Sequence, residues 1–81
     1  MTIYTRRGCH LCQEMKVIVE RVVRDTRTAA EIQEIDIAGD PALEERYGLE
    51  IPVLLVNGKK AAKYRVSEME LTRILRAGGA G

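Results

Sequence analysis

Apolar residues along the first half of the chain follow two different periods. Met1-Thr2-Ile3-Tyr4-Thr5 is a short β-prone run, and the Arg6-Arg7-Gly8 after it reads as a loop. From about His10 to about Arg24, Leu11, Met15, Ile18, Val19 and Val22 recur three or four apart. That spacing predicts an amphipathic helix of about four turns. Glu14, Lys16, Glu20, Arg21 and Arg24 fall on its other faces, with Glu20 and Arg24 an i, i+4 pair. Val17-Ile18-Val19 is β-branched and strand-like by itself, but the 11/15/18/22 ladder fits a helix better. Asp25–Ala30 has no clear period and is expected to be a connection. Glu31–Ile37 places Ile35 and Ile37 on one face and reads as a strand.

The second half is punctuated more sharply. Asp40 is a natural N-cap, Pro41 suits the first helical position and Gly48 the C′ position, so a short helix is expected with Leu43 and Tyr47 buried. Ile51–Val56 is the strongest strand, Asn57-Gly58 is the leading type I′ hairpin turn, and Lys59–Val66 is expected to return antiparallel. Ser67-Glu68-Met69-Glu70 has the form of a capping box, opening a helix with Leu71, Ile74 and Leu75 on one face. Gly78-Gly79 should end it, leaving 78–81 as a frayed tail. The predicted order is β-α-β-α-β-β-α, an α/β domain. A right-handed crossover makes the first two strands parallel, the hairpin adds an antiparallel pair, and a four-stranded mixed sheet with helices on both faces results.

Composition narrows the class. Eighty-one residues make one domain, spanning 1–81, that buries roughly 60–65% of the surface its unfolded chain exposes. Apolar residues at 46% and charged residues at 31% suit a globular domain and not a disordered one. With no Phe and no Trp, the core must be mostly Ile, Leu, Val and Met. Thirteen Lys and Arg against twelve Asp and Glu, a net charge of +1, argue against a nucleic-acid binder. The longest apolar run, Ile51–Val56, cannot span a membrane, and no secretory signal is visible after Met1, so a cytoplasmic monomer is expected. Two cysteines are too few for a disulfide-stapled secreted scaffold.

Those cysteines carry the chemistry. Cys9-His10-Leu11-Cys12 follows a strand and opens a helix, the setting in which a CxxC pattern reads as a redox site. The thiolate is the nucleophile in disulfide exchange, and a helix N-terminus favours it through free N–H groups and the positive end of the helix dipole. Cys9, at the start, is expected to be exposed and to attack. Cys12, one turn inside, is expected to resolve the mixed disulfide. Arg6 and Arg7 add positive charge beside Cys9. His10 either donates to the Cys9 sulfur and tunes its potential or is a solvated first-turn residue. Structural zinc needs four ligands, and the chain offers two Cys and one His within one motif. A dimer pooling four cysteines around an iron–sulfur cluster, and an inert buried pair, are the remaining alternatives. No metal is expected in the single chain.

Thr5-Arg6-Arg7-Gly8-Cys9-His10-Leu11-Cys12, Glu50-Ile51-Pro52-Val53 and the Asn57-Gly58 hairpin before a last helix resemble the glutaredoxin-like proteins of the thioredoxin fold, over nearly the whole chain. The resemblance implies a dithiol thiol–disulfide oxidoreductase that needs no organic cofactor, with glutathione as a co-substrate. It implies a disulfide-bearing protein or small molecule as substrate, and glutathione or a thioredoxin reductase as electron donor. It also implies that Pro52 follows a cis bond and faces the cysteines, turning the Ile51 backbone outward toward an added peptide or glutathione. The structural alternative is that Pro52 only opens a strand. Arg6 stands where glutaredoxins often have a basic glutathione contact.

The sequence departs from that pattern in two places. His10-Leu11 replaces the Pro-Tyr common between the cysteines, and Tyr64-Arg65 stands near the position where glutaredoxins carry a Gly-Gly pair that lets glutathione approach the backbone. Arg65 offers a carboxylate partner there, and Ser67-Glu68 caps the last helix where it can meet an amine. Lys59, Lys60, Lys63 and Arg65 form a basic run. It either attracts anionic substrates or guards an exposed edge strand. A non-catalytic redox-sensing or interaction module is the other reading of the whole chain.

Overall fold

A computed structural model describes residues 1–78. It contains strand β1 (Thr2–Thr5), helix α1 (His10–Asp25), β2 (Gln33–Asp36), α2 (Pro41–Tyr47), β3 (Val53–Val56), β4 (Lys59–Lys63) and α3 (Glu68–Gly78). The expected tail lies outside the described residues except Gly78, with which α3 ends. The four strands form one sheet in the order β2-β1-β3-β4. β1 pairs parallel with β2 from Thr2↔Gln33 to Thr5↔Asp36, and antiparallel with β3 through Ile3↔Leu54 and Tyr4↔Val53. β3 and β4 are the hairpin, turning at Asn57 and Gly58 with φ of 54° and 78°, the pair of positive values a type I′ turn requires.

The alternation along β1 and β3 divides the core. Ile3 and Leu54, paired and fully buried, face Met15, Val19 and Val22 of α1 and Leu71 and Leu75 of α3. Tyr4 and Val53 point to the other face, where Ile37 and Tyr47 of α2 cover them. The Tyr4 and Tyr47 rings stack at 4.5 Å, so two tyrosines supply the aromatic packing that Phe and Trp would otherwise provide.

Three boundaries differ from the sequence reading, each for a local reason. β2 is shorter than 31–37 because β1 offers it only four partners, although Ile37 N–H still donates to the Thr5 carbonyl at 2.9 Å. β3 starts at Val53 and not at Ile51, since Pro52 has no N–H to give a ladder. β4 stops at Lys63 because Tyr64, at φ 67°, turns the chain out of the sheet and sends Val66 into the core. Gly48 is a further correction. It closes α2 with helical dihedrals (φ −54°, ψ −31°), not the left-handed ones expected at C′. Glycine fits there for space, because a Cβ would run into the Glu44 carbonyl oxygen.

Candidate active site

The end of β1 and the start of α1 are joined by a tight turn. Cys9 N–H donates to the Arg6 carbonyl at 3.2 Å, and Gly8 takes the third position at φ 80°. Nothing lies within 4 Å of where a Gly8 Cβ would be, so glycine is required there by its backbone angle and not by crowding. Cys9 then caps α1 from an extended conformation, and its Sγ accepts the N–H of Cys12 at 3.2 Å. The two Cα atoms are 5.2 Å apart and the sulfurs are bonded. Cys9 is half-buried, whereas Cys12 is 3% exposed. No acidic residue sits in the first turn of α1 to offset the positive end of the helix beneath Cys9.

Both cysteines line a cavity of about 290 Å³. Arg6 and Arg7, and Glu34 and Asp36 of β2, line it with them. Arg6 is not a free cation, because its Nη2 donates to both carboxylate oxygens of Glu44 at 2.8 Å. Arg7 is exposed at the cavity rim, and His10 is exposed at the first position of α1. Among the described residues, the His10 ring makes no hydrogen bond. The donor to the Cys9 sulfur is the Cys12 backbone instead.

The other expected site residues gather at the same end of the sheet. The Tyr4↔Val53 register carries Pro52 and Ile51 up beside the turn that leads to Cys9. The Ile51-Pro52 bond is cis, and the Pro52 side chain is fully buried. Among the described residues, no backbone hydrogen bond reaches the Ile51 N–H or carbonyl. Tyr64 N–H donates to the Pro52 carbonyl at 2.8 Å, which brings the end of β4 to this point too. Arg65 is exposed just beyond it, without an ion-pair partner among the described residues. Ser67 stands further along, where its hydroxyl receives the Glu70 N–H at 3.0 Å and caps α3.

Three residues here had no role signalled in the sequence. Glu44 meets Arg6 across 38 positions of chain. Glu50 accepts a 2.5 Å hydrogen bond from Lys60 and lies 3.6 Å from Lys63, so two members of the basic run are matched internally. The Lys60 hydrogen bond, with the positive charge of both lysines, holds the Glu50 carboxyl below its usual value. Leu49 is 93% exposed, and its carbonyl accepts from the Tyr64 hydroxyl at 3.0 Å. Their partners were marked beforehand: Arg6, Lys60 and Lys63 by charge, and Tyr64 by occupying a place that suits glycine.

Solved structures share this fold. Protein XcR50 from X. campestris is 31% identical, with 95% of this chain and 96% of that one covered and a TM-score of 0.73. Protein Ne2328 from Nitrosomonas europaea is 29% identical over 90% of this chain and 86% of that one, with a TM-score of 0.74. The germline-specific thioredoxin Deadhead from Drosophila melanogaster is 25% identical over 95% of this chain and 77% of its own, at a TM-score of 0.60. Its fold is therefore the thioredoxin fold, and the cysteine pair at its helix start is of the redox type. Residues 1–76 match the glutaredoxin-like domain family (DUF836), and the chain belongs to that family.

Proposed function

We propose that the chain is a dithiol thiol–disulfide oxidoreductase with Cys9 as nucleophile and Cys12 as resolving thiol. The asymmetry of the pair carries this reading: a half-exposed Cys9 whose sulfur accepts an N–H at a helix start, and a Cys12 that is 3% exposed. In the reduced chain, the Cys9 thiolate attacks one sulfur of a substrate disulfide. That S–S bond breaks, and its electron pair leaves on the other sulfur as a thiolate. Cys12 then gives up its proton to the water-accessible cavity bordered by Glu34 and Asp36, and attacks the Cys9 sulfur. The second substrate thiolate departs. Two electrons have moved to the substrate, and the chain holds a Cys9–Cys12 disulfide. Two glutathione molecules, or the dithiol of a thioredoxin reductase, return it to the reduced state. No resident cofactor takes part. The chain works as a monomer in a reducing compartment such as the cytoplasm.

Intact-mass analysis of variants tests the assignment. Cys12→Ser is expected to accumulate a mixed disulfide on Cys9, and Cys9→Ser to lose exchange altogether. A Cys9→Ser variant with full reductase activity overturns the proposal. The electron donor is read from the redox midpoint. A value of roughly −200 to −230 mV with a glutathione adduct marks glutathione, and one near about −270 mV without the adduct marks a reductase.

A further inference from the structure

We infer that the rim around Pro52 selects polypeptide disulfides with an apolar residue next to the cysteine, in preference to glutathione disulfide. The inference rests on the thiol–disulfide reading and names its substrate class. Tyr64 is the first reason. A bulky residue at φ 67° occupies a region that L side chains adopt at a cost and glycine adopts freely. That cost is not offset by burial, since Tyr64 remains 44% exposed. Its hydroxyl is tied to the Leu49 carbonyl at 3.0 Å while its N–H holds the Pro52 carbonyl. The backbone is thus held at Pro52 and the ring is tethered to Leu49, so a bulky side chain stands where glycine would leave the backbone open.

Leu49 is the second reason. It is the most exposed large apolar side chain among the described residues, and Glu50 N–H anchors its loop to the Tyr47 carbonyl at 2.8 Å. Joined through the Leu49 carbonyl, Leu49 and Tyr64 place two exposed apolar side chains next to the Ile51-Pro52 segment. Charge is the third reason. Glutathione presents two carboxylates, but the nearby cations Arg6, Lys60 and Lys63 are already matched by Glu44 and Glu50. Arg7 and Arg65, exposed and without an ion-pair partner among the described residues, suit acidic residues of a longer substrate. The Ile51 N–H and carbonyl, with no backbone partner among the described residues, offer that substrate a strand to pair with.

The test is the rate at which the reduced chain is oxidised, with no recycling reductant present, by four disulfides. Two are peptides identical but for Leu or Ser beside the cysteine; the others are glutathione disulfide and 2-hydroxyethyl disulfide. Each rate is divided by that of free cysteine with the same disulfide. The Leu peptide is expected to react about tenfold faster than the Ser peptide, a difference of about 1.4 kcal/mol. Leu49→Ser is expected to bring the ratio below about two. Val17→Ser, at a 53% exposed position on α1, should leave it unchanged. Tyr64→Gly should lower the ratio and speed glutathione disulfide. A wild-type ratio within twofold, a ratio that survives Leu49→Ser, or glutathione disulfide outpacing the Leu peptide each overturns the inference while the oxidoreductase reading stands. Failure of every disulfide, 2-hydroxyethyl disulfide included, to oxidise Cys9 overturns both.

Discussion

Placing an alanine of either hand at Gly8 interrogates the turn that presents Cys9. In L-alanine the observed φ of 80° is left-handed and costs about 1–2 kcal/mol. The new methyl meets nothing within 4 Å, so no clash adds to that figure. Loss of glycine's freedom in the unfolded chain returns about 0.4–1 kcal/mol, leaving a net destabilisation of about 1 kcal/mol. A domain of this size has about 4–12 kcal/mol in all, and about 1 kcal/mol lowers its melting temperature by about 4–8 °C. D-alanine accepts the same φ without strain and keeps the entropic gain, so it should raise the melting temperature by a few degrees. The two chains are within reach of chemical synthesis, and circular dichroism of the oxidised forms gives both melting temperatures. The opposite signs are the diagnostic, because both enantiomers share the entropic gain and only L-alanine carries the strain. Shifts in the same direction, or none for either enantiomer, would refute a left-handed Gly8 and the turn built on it.

Other parts of the molecule give further expectations. Leu54→Ala, at a fully buried position in the centre of the sheet, should cost about 2–5 kcal/mol in urea unfolding, and a loss below about 1 kcal/mol contradicts the packing described. Glu44→Gln should cost no more than about 1 kcal/mol, since both partners are over a third exposed. It releases the Arg6 charge, so oxidation by anionic glutathione disulfide should accelerate a few-fold over neutral 2-hydroxyethyl disulfide, and the gain should fade with salt. Equal response of the two disulfides counts against that role for Glu44. Glu50 is held below its ordinary value in the folded state, so its contribution is complete above the ordinary Glu pKa of about 4.3 and is lost as pH falls through the lowered folded value. The melting-temperature gap between wild type and Glu50→Gln should therefore be present at pH 7 and close in acid. A gap unchanged at about pH 3 speaks against the Lys60–Glu50–Lys63 cluster.

Local rules made much of this fold readable. The Leu11-to-Val22 ladder, the Asp40-Pro41 start and the Asn57-Gly58 turn each depend on neighbours within a few residues, and each element lies where those neighbours put it. The CxxC position at a helix start was legible for the same reason. Errors arose where a strand's length is set by its partner, as with β2, or where two different demands favour glycine, as at Gly48. The charge pattern of the site was hidden more completely. Arg6 and Glu44 meet only when α2 packs beside the end of β1, and Glu50 and its lysines only when the β3–β4 hairpin closes, and no sequence period encodes either meeting.

β1 is central in the sheet yet precedes all of its partners in the chain. During synthesis, Cys9 and Cys12 therefore emerge long before the residues that enclose them. Ile3 and Met15 share a core with Leu54, Leu71 and Leu75, so the cluster beneath Cys12 closes only when α3 arrives. At roughly 5–20 residues per second, the stretch from Cys9 to Leu75 takes on the order of ten seconds or less to appear. For that interval both thiols are open to the surrounding redox buffer without the helix start that distinguishes them. The nascent chain thus exposes two equivalent thiols to exchange before the fold that tells them apart exists.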